Sequence, residues 1–193
     1  MIYIKTMKLI ELINNNTTDK NTVHSYIDTY ESLFSKLKYG PVNVLEVGIF
    51  HGGSIKLWKD YFSNGKIYGV DIINEHDGLI MEHSIFSDPR IQLYTRTNAY
   101  DIQFVNHLSK QKFDILIDDG PHTYESVEFF VKYYLPLLRG EGILVVEDIQ
   151  HWDWIDKLKM LVPDQYKQFI KVFDLRNNKG RYDDILFVVD LTK

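Results

Sequence analysis

The sequence predicts one α/β domain in which a mostly parallel, seven-stranded sheet carries helices on both faces and ends in an antiparallel hairpin. Short runs of consecutive apolar residues alternate with amphipathic stretches between residues 42 and 161. Such runs are typical of parallel strands that are buried on both faces. Two strand-like runs near the end of the chain are joined by residues 176–180, Arg-Asn-Asn-Lys-Gly, which favour a turn. These last two strands are predicted to form the hairpin.

The chain begins with two predicted helices. The first is short and covers residues 8–13, and an Asn-Asn-Asn-Thr-Thr stretch follows it as a loop or cap. The second covers residues 22–37, where Tyr26 and Tyr30 belong to an apolar series with the i, i+3, i+4 spacing of a helix. The Gly-Pro pair that begins at Gly40 ends it.

The remaining elements follow from the same two patterns. Apolar runs predict strands at residues 42–47, 66–72, 91–94, 113–117, 143–147, 168–173 and 184–190. Amphipathic runs predict helices at residues 53–61, 101–109, 123–138 and 154–161.

Composition restricts the class of protein. A chain of 193 residues with 45% hydrophobic and 25% charged residues can bury the core of one domain. It has no cysteine, so any metal would have oxygen or imidazole ligands. A net charge of −5 argues against nucleic acid as the main partner. No apolar run could span a bilayer, and the first residues lack the pattern of a signal peptide. We therefore expect a cytoplasmic protein with no membrane partner.

A glycine-rich turn follows the first predicted strand. Gly48, Gly52 and Ser54 lie between that strand and the next helix, and Glu46 precedes them. Glycines there let a ligand approach the backbone at the carboxyl edge of the sheet. The spacing differs from the G-x-G-x-x-G of dinucleotide sites. Asp71 ends the second strand, where a carboxylate can bind both ribose hydroxyls. The turn and Asp71 together predict an adenosine site.

This arrangement resembles the first two motifs of class I S-adenosylmethionine-dependent methyltransferases. The resemblance, together with the terminal hairpin, implies the methyltransferase variant of the Rossmann-like fold. It also implies S-adenosylmethionine as cofactor, and it places Asn98, after the third strand, near the adenine.

Acidic residues follow two further strands. Asp118, Asp119 and His122 come after the fourth strand, and Glu147 and Asp148 after the fifth. Because the carboxyl ends of adjacent parallel strands share one edge, these groups should converge there. Converging carboxylates repel one another unless a cation offsets their charge. Mg²⁺, or another divalent cation, suits such a set and would make a hydroxyl easier to deprotonate. The alternative is that these residues only cap a helix and end a strand.

The full set of motifs is similar to the macrocin and mycinamicin type of sugar O-methyltransferases and to the cephalosporin-biosynthesis methyltransferase. The similarity rests on Thr18-Asp19-Lys20, Glu46-Val47-Gly48, Asp118-Asp119-Gly120 with His122, and Glu147-Asp148. It implies Asp119, Glu147 and Asp148 as metal ligands, His122 as general base and a sugar hydroxyl as acceptor. It also implies that Asp118 is a supporting acid on the cofactor side.

The similarity is incomplete in places. Pro121 stands where the family usually has serine. Residues 1–40 are expected to form an N-terminal helical segment that serves as a lid, substrate wall or interface. Residues 41–193 are expected to form the cofactor-binding catalytic domain. The short N-terminal segment argues against a macrolide acceptor, and a homo-oligomer is left open.

Three alternative functions share part of this fold or of this set of residues. A catechol-type or other small-molecule O-methyltransferase would use a similar acid set. A nicotinamide oxidoreductase is disfavoured by the glycine spacing. A non-catalytic cofactor-binding module is disfavoured by the intact acid set and His122. Trp152 and Trp154, which follow Asp148, are candidates for the acceptor site, with at least one of them expected to pack in the core.

Overall fold

The computed structural model describes residues 7–73 and 87–192. It contains a seven-stranded sheet of order β3-β2-β1-β4-β5-β7-β6. The first five strands are parallel, β7 is antiparallel to β5, and β6 is antiparallel to β7. The strands are β1 Asn43–Val47, β2 Lys66–Val70, β3 Ile91–Tyr94, β4 Phe113–Asp118, β5 Leu138–Val146, β6 Ile170–Asp174 and β7 Ile185–Asp190. The predicted fold class is confirmed, including the hairpin.

Helices cover both faces of this sheet. They are α1 Leu9–Leu12, α2 Ile27–Phe34, α3 Gly53–Tyr61, α4 Ile102–Leu108, α5 Tyr124–Tyr134, α6 Trp154–Leu161 and α7 Arg176–Lys179. Successive strand residues point to opposite faces, so Leu45 belongs to the core under α4, α5 and α6, whereas Val44 belongs to the core under α1, α2 and α3.

The N-terminal helices share the core of the sheet. In α2, Tyr30 and Phe34 are fully buried, and both rings pack against Trp58 of α3 at centroid distances of 5.3 and 5.7 Å. Leu9 of α1 is fully buried in the same cluster. The segment before the sheet is therefore part of one hydrophobic core with β1 and α3.

Several element boundaries differ from those predicted. The second helix begins at Ile27 and not at residue 22, because the backbone N–H groups of Thr22, Val23 and His24 all donate to the Asp19 carbonyl in a turn. The helix predicted at 123–138 ends at Tyr134, since a 3-10 turn and strand β5 follow it. The predicted loop at 176–180 contains the short helix α7.

No helix within the described residues is both long and apolar enough to cross a membrane.

Candidate active site

A cleft of about 670 Å³ opens at the carboxyl edge of the parallel strands. Its walls come from the turn after β1, the end of β2, the segments after β3 and β4, and residues 15–19 of the N-terminal segment. Of the residues predicted from the sequence, those that line the cleft are Gly48, Ser54, Asp71, Asn98, Asp119 and His122.

Gly48 makes the turn after β1 possible. Its φ of +93° lies in the region that favours glycine, and a Cβ at this position would lie 2.0 Å from the Asp119 carbonyl oxygen. Gly52, with φ +78°, is the N-cap of α3. The turn therefore brings the loop after β1 directly against the loop after β4, with only backbone between them.

Asp71 connects this turn to the end of β2. Its Oδ2 accepts hydrogen bonds from the backbone N–H groups of Ile49, at 2.7 Å, and Phe50, at 3.0 Å. Asn98 lies on the same cleft, and its Oδ1 accepts from the N–H of Tyr100 at 3.0 Å. Asp71 is thus fixed at the cleft wall by groups of the turn itself.

Glu46 and Asp118 lie behind the wall of the cleft. The Glu46 side chain is fully buried and accepts from Trp58 Nε1 at 3.1 Å. Asp118 is 2% exposed and accepts from the Tyr100 hydroxyl. Burial raises the pKa of each carboxyl group to about 7. Both were predicted on the cofactor side; the structure places both beneath the cleft surface, where they support the turn after β1 and the loop after β4.

Asp119, His122 and Asp148 form an outer group at the end of the cleft. His122 Nε2 lies 3.7 Å from Asp119 Oδ1 and 3.4 Å from Asp148 Oδ2. His122 and Asp148 both have φ of +53°, an uncommon value for residues other than glycine. Such strained positions cluster at functional sites. The two loops therefore turn an imidazole and two carboxylates toward one point.

A second, inner group lies behind the first and shares Asp119 with it. Lys20, from the N-terminal segment, places its Nζ 2.6 Å from Asp119 Oδ2 and 2.7 Å from Glu147 Oε1. It also lies 3.3 Å from Glu46 Oε1. Burial opposes its charge, but the attraction of these carboxylates outweighs burial and raises the pKa of Lys20 well above its ordinary value. Lys20 is therefore a buried ammonium.

Two tyrosines and a histidine of the N-terminal segment complete the inner layer. The Tyr30 hydroxyl donates to Glu147, and the Tyr26 hydroxyl donates to Asp148. His24 Nδ1 lies 3.2 Å from Asp148 Oδ1 and 3.1 Å from Asp184 Oδ1. Burial and the nearby Asp119 raise the pKa of Asp148. The helical periodicity predicts Tyr30 only as a core aromatic, and the sequence analysis does not single out Asp184. The Asp183-Asp184 pair before an apolar strand is the one local signal for it.

The donor set of the outer group fits a divalent cation. One atom each of Asp119, His122 and Asp148 lie within 4.8 Å of one another, and so do one atom each of Glu46, Asp119 and Glu147. Oxygen donors with room for water on one side are what Mg²⁺ prefers. Of the three predicted ligands, Asp119 lines the cleft and Asp148 is 7% exposed beside His122. Glu147 is 1% exposed and has both carboxylate oxygens within 2.8 Å of Lys20 Nζ.

The two tryptophans after β5 differ in their surroundings. Trp154 packs against Tyr124 at a centroid distance of 5.6 Å and joins the core. Trp152 is 51% exposed, and the Arg176 guanidinium lies 5.4 Å from the centre of its ring. Trp152 is thus a half-exposed ring beside Arg176, and it is not among the residues that line the cleft.

The sheet order, its terminal hairpin and the cleft at its carboxyl edge define a Rossmann-like α/β domain. A methyltransferase-domain family model matches residues 45–149, more than half of the chain, and the chain belongs to this family.

Relatives of known activity are sugar O-methyltransferases. A tetracenomycin 3'-O-methyltransferase of Streptomyces olivaceus, whose full name specifies a 2-methoxy-α-L-rhamnosyl group, is 33% identical over 135 residues, which are 65% of this chain and 32% of the relative. The mycinamicin VI 2''-O-methyltransferase of Micromonospora griseorubida is 30% identical over 156 residues, 76% of this chain and 37% of the relative. The chain thus spans about a third of the length of these curated relatives.

Solved structures share the fold. The MycE methyltransferase from the mycinamycin biosynthetic pathway, in complex with Mg, SAH and mycinamycin VI, superposes with a TM-score of 0.74 at 22% identity. The match covers 96% of this chain and 55% of that one. A putative rRNA methylase from Clostridium thermocellum matches with a TM-score of 0.67 at 13% identity, over 88% of this chain and 97% of that one.

Proposed function

We propose that this chain is the catalytic unit of an S-adenosylmethionine- and Mg²⁺-dependent O-methyltransferase that methylates a sugar hydroxyl. One observation carries the proposal: Asp119 and His122, which form one group with Asp148, border the same cleft as Asp71 and the Gly48 turn. The proposed base and a proposed metal ligand would therefore lie beside the place where an adenosine would bind.

The cofactor half of the cleft is assigned to a few residues. Asp71, on the cleft wall, would bind the ribose hydroxyls mainly through Oδ1, because Oδ2 already accepts two backbone N–H groups and Oδ1 accepts one, from Ile73. Gly48, Gly52 and Ser54 would let the methionine part approach the backbone at the start of α3. Asn98 would border the adenine. Glu46 and Asp118 would act from beneath the surface and hold the two loops in place.

Asp119, Glu147 and Asp148 are the proposed metal ligands. Asp119 and Asp148 would bind with the oxygens that lie near His122, and Glu147 from the inner side beside Lys20. Bound there, a divalent cation would lower the pKa of an acceptor hydroxyl, and S-adenosylmethionine would supply the methyl group. Tyr26 and Tyr30 donate to Asp148 and Glu147 and so fix the direction of both carboxylates.

His122 is the proposed general base. Its Nε2 lies 3.4 Å from Asp148 Oδ2 and 3.7 Å from Asp119 Oδ1, so a hydroxyl held beside these carboxylates would be within reach of the ring. The neutral imidazole takes the hydroxyl proton at Nε2, and the nearby carboxylates stabilise the imidazolium that results. Only the neutral form can accept the proton, so protonation of His122 stops the reaction.

The acceptor is proposed from the relatives and from one surface feature. The relatives act on rhamnosyl and other sugar groups, according to their names. Exposed Trp152 would offer its ring to the apolar face of such a sugar. Residues 1–40 would form one side of the site, and residues 41–193 would carry the cofactor and the metal. The protein would work in the cytosol, as a monomer or as a homo-oligomer.

A methyl-transfer screen tests this proposal. Labelled S-adenosylmethionine and Mg²⁺ are offered with a panel of rhamnosides, other glycosides, nucleotide sugars and catechol. We expect label in at least one sugar acceptor and none in catechol. Transfer to catechol alone would favour the catechol-type alternative, and a protein that binds S-adenosylhomocysteine but methylates nothing in the panel would favour a non-catalytic module.

A further inference from the structure

We infer that Asp184, directly before β7, is a positioning residue of the proposed metal site and that it acts through His24. The inference rests on the proposed function, because it concerns the direction of one proposed ligand, Asp148. The evidence is a row of three buried side chains, with His24 in the middle. His24 Nδ1 lies 3.1 Å from Asp184 Oδ1 and 3.2 Å from Asp148 Oδ1.

The surroundings of the Asp184 carboxylate offset the cost of its burial only in part. The side chain is fully buried, and Oδ2 has no hydrogen-bond partner among the described residues. Oδ1 accepts from the backbone N–H of Ser25 at 3.3 Å and faces His24 Nδ1. In the part of the chain that the structure describes, His24 is the one ion-pair partner of Asp184. Because buried acids are rare without a group to pair with, His24 is the group that Asp184 holds.

The two carboxylates determine which nitrogen of the His24 ring carries a proton. An ionised carboxylate only accepts hydrogen bonds, so an Nδ1 without a proton would face two acceptors at 3.1 and 3.2 Å. The proton is therefore assigned to Nδ1, where it lies between Asp184 and Asp148. The ring also stacks on Tyr26 with centroids 4.9 Å apart, which fixes its plane. His24 is thus held in one tautomer and one orientation.

The orientation of Asp148 depends on these contacts. Its Oδ1 accepts from the Tyr26 hydroxyl and faces His24 Nδ1, which leaves Oδ2 directed toward His122 Nε2 at 3.4 Å. Groups that hold a metal-binding side chain from behind typically change metal affinity by about 10–100-fold when they are removed. Asp184 would therefore act on the metal without touching it, because it holds the ring that holds Asp148.

Mn²⁺ affinity tests the inference in the full chain, with the free ion followed by paramagnetic resonance. Asp184→Ala removes the acceptor for His24, and we expect it to weaken Mn²⁺ binding by about 10-fold or more. Asp184→Asn keeps an oxygen that can accept from Nδ1–H, so it should lose less affinity than Asp184→Ala. Asp183→Asn, at the neighbouring carboxylate that pairs with Arg181, is the matched control and should bind like the wild type. The affinity for S-adenosylhomocysteine should be unchanged in all three variants.

A double-mutant cycle separates this role from a general effect of charge. His24→Phe keeps a ring against Tyr26 and removes Nδ1. Because Asp184 acts through His24, adding Asp184→Ala to His24→Phe should cause no further loss of Mn²⁺ affinity. An equal loss from Asp184→Ala in both backgrounds would overturn the inference.

The outcomes separate the two proposals. A wild type that binds no Mn²⁺ would contradict the proposed metal site, and this inference with it. A wild type that binds Mn²⁺, together with an Asp184→Ala variant that binds it equally well, would overturn the inference alone. If Asp184→Ala does not fold, His24→Phe decides, because an unchanged Mn²⁺ affinity in that variant would also overturn it.

Discussion

His122 lies near Asp119 and Asp148 on a turn with positive φ, and its removal should affect chemistry more than binding. We expect His122→Ala to lower kcat by about 10²-fold or more, the usual scale for a positioned base. His122→Gln keeps a polar group without the basicity and should be almost as slow. The affinity for S-adenosylhomocysteine, measured by calorimetry, should stay close to that of the wild type.

His151 provides the control for this pair of variants. It is exposed and its ring packs beside Trp154 at 5.2 Å. His151→Ala should keep near-normal turnover. A slow His151→Ala together with a normal His122→Ala would mean that the two histidines have the opposite roles.

The buried Asp118 carboxyl group should make the free energy of unfolding fall as the pH rises. Its pKa is raised to about 7 by burial, above an ordinary value of 3.8. Its neutral form is therefore favoured in the folded protein, so the stability that it contributes is complete below about pH 4 and is lost as the pH rises through 7. At about 1.4 kcal/mol per pKa unit, the loss has an upper limit of roughly 4 kcal/mol.

Asp118→Asn should abolish this part of the pH dependence while keeping an acceptor for the Tyr100 hydroxyl. Urea unfolding in EDTA, between pH 4 and 8, should give a flatter curve for the variant than for the wild type. Asp156→Asn, at a side chain that is 86% exposed, should keep the wild-type slope. Equal slopes for all three proteins would show that Asp118 is ionised without cost in the folded state.

The sequence could predict the outer group of Asp119, His122 and Asp148. It could not predict that the Lys20 ammonium balances the charge of the inner carboxylates. Asp119, His122 and Asp148 follow strand ends, and parallel strands bring their ends together, so convergence was derivable. Lys20 lies 99 residues from Asp119 and 127 from Glu147 along the chain, and nothing local in a Thr-Asp-Lys triplet says which carboxylates it reaches. For the same reason the burial of Glu46 beneath the turn could not be foreseen.

At the level of elements, the contact between the turn after β1 and the loop after β4 depends on Gly48. A Cβ there would lie 2.0 Å from the Asp119 carbonyl oxygen, and φ is +93°. We expect Gly48→Ala to lower the free energy of unfolding by about 3 kcal/mol, from backbone strain and the displaced loop. Cofactor affinity should fall as well, because the same turn holds Asp71.

Gly140 offers a matched comparison in β5. A Cβ at that position would meet nothing within 4 Å, and its φ is not positive. Gly140→Ala should therefore change the free energy of unfolding by less than about 0.5 kcal/mol. Chemical denaturation of both variants checks the pair, and equal stability of the two would mean that the loops adjust without cost.

Element types were predictable where a periodic pattern was long, and boundaries were less so. All seven strands were found from apolar runs. The second helix was predicted five residues too early. Residues 22–26 carry helix-compatible side chains, but the N–H groups of Thr22, Val23 and His24 bond to the Asp19 carbonyl, and that of Tyr26 bonds to the Lys20 carbonyl. Tertiary contacts of Lys20 and His24 outweigh local propensity there.

At the scale of the whole molecule, the N-terminal segment joins the sheet and the active-site edge into one unit. Its helices pack on α3, and its polar side chains Lys20, His24, Tyr26 and Tyr30 contact the carboxylates after β4 and β5. Deleting the segment would therefore leave buried acids without partners, and the sheet alone should not carry activity.

The most direct test of the account is the metal dependence of methyl transfer in the wild type and in Asp148→Asn. With an acceptor from the screen, the wild type should lose most of its activity in EDTA and regain it when Mg²⁺ is added in excess. Asp148→Asn should keep its fold and its affinity for S-adenosylhomocysteine but should not be rescued by Mg²⁺ at concentrations that restore the wild type. Full wild-type activity in EDTA would contradict the assignment of these carboxylates to a metal site.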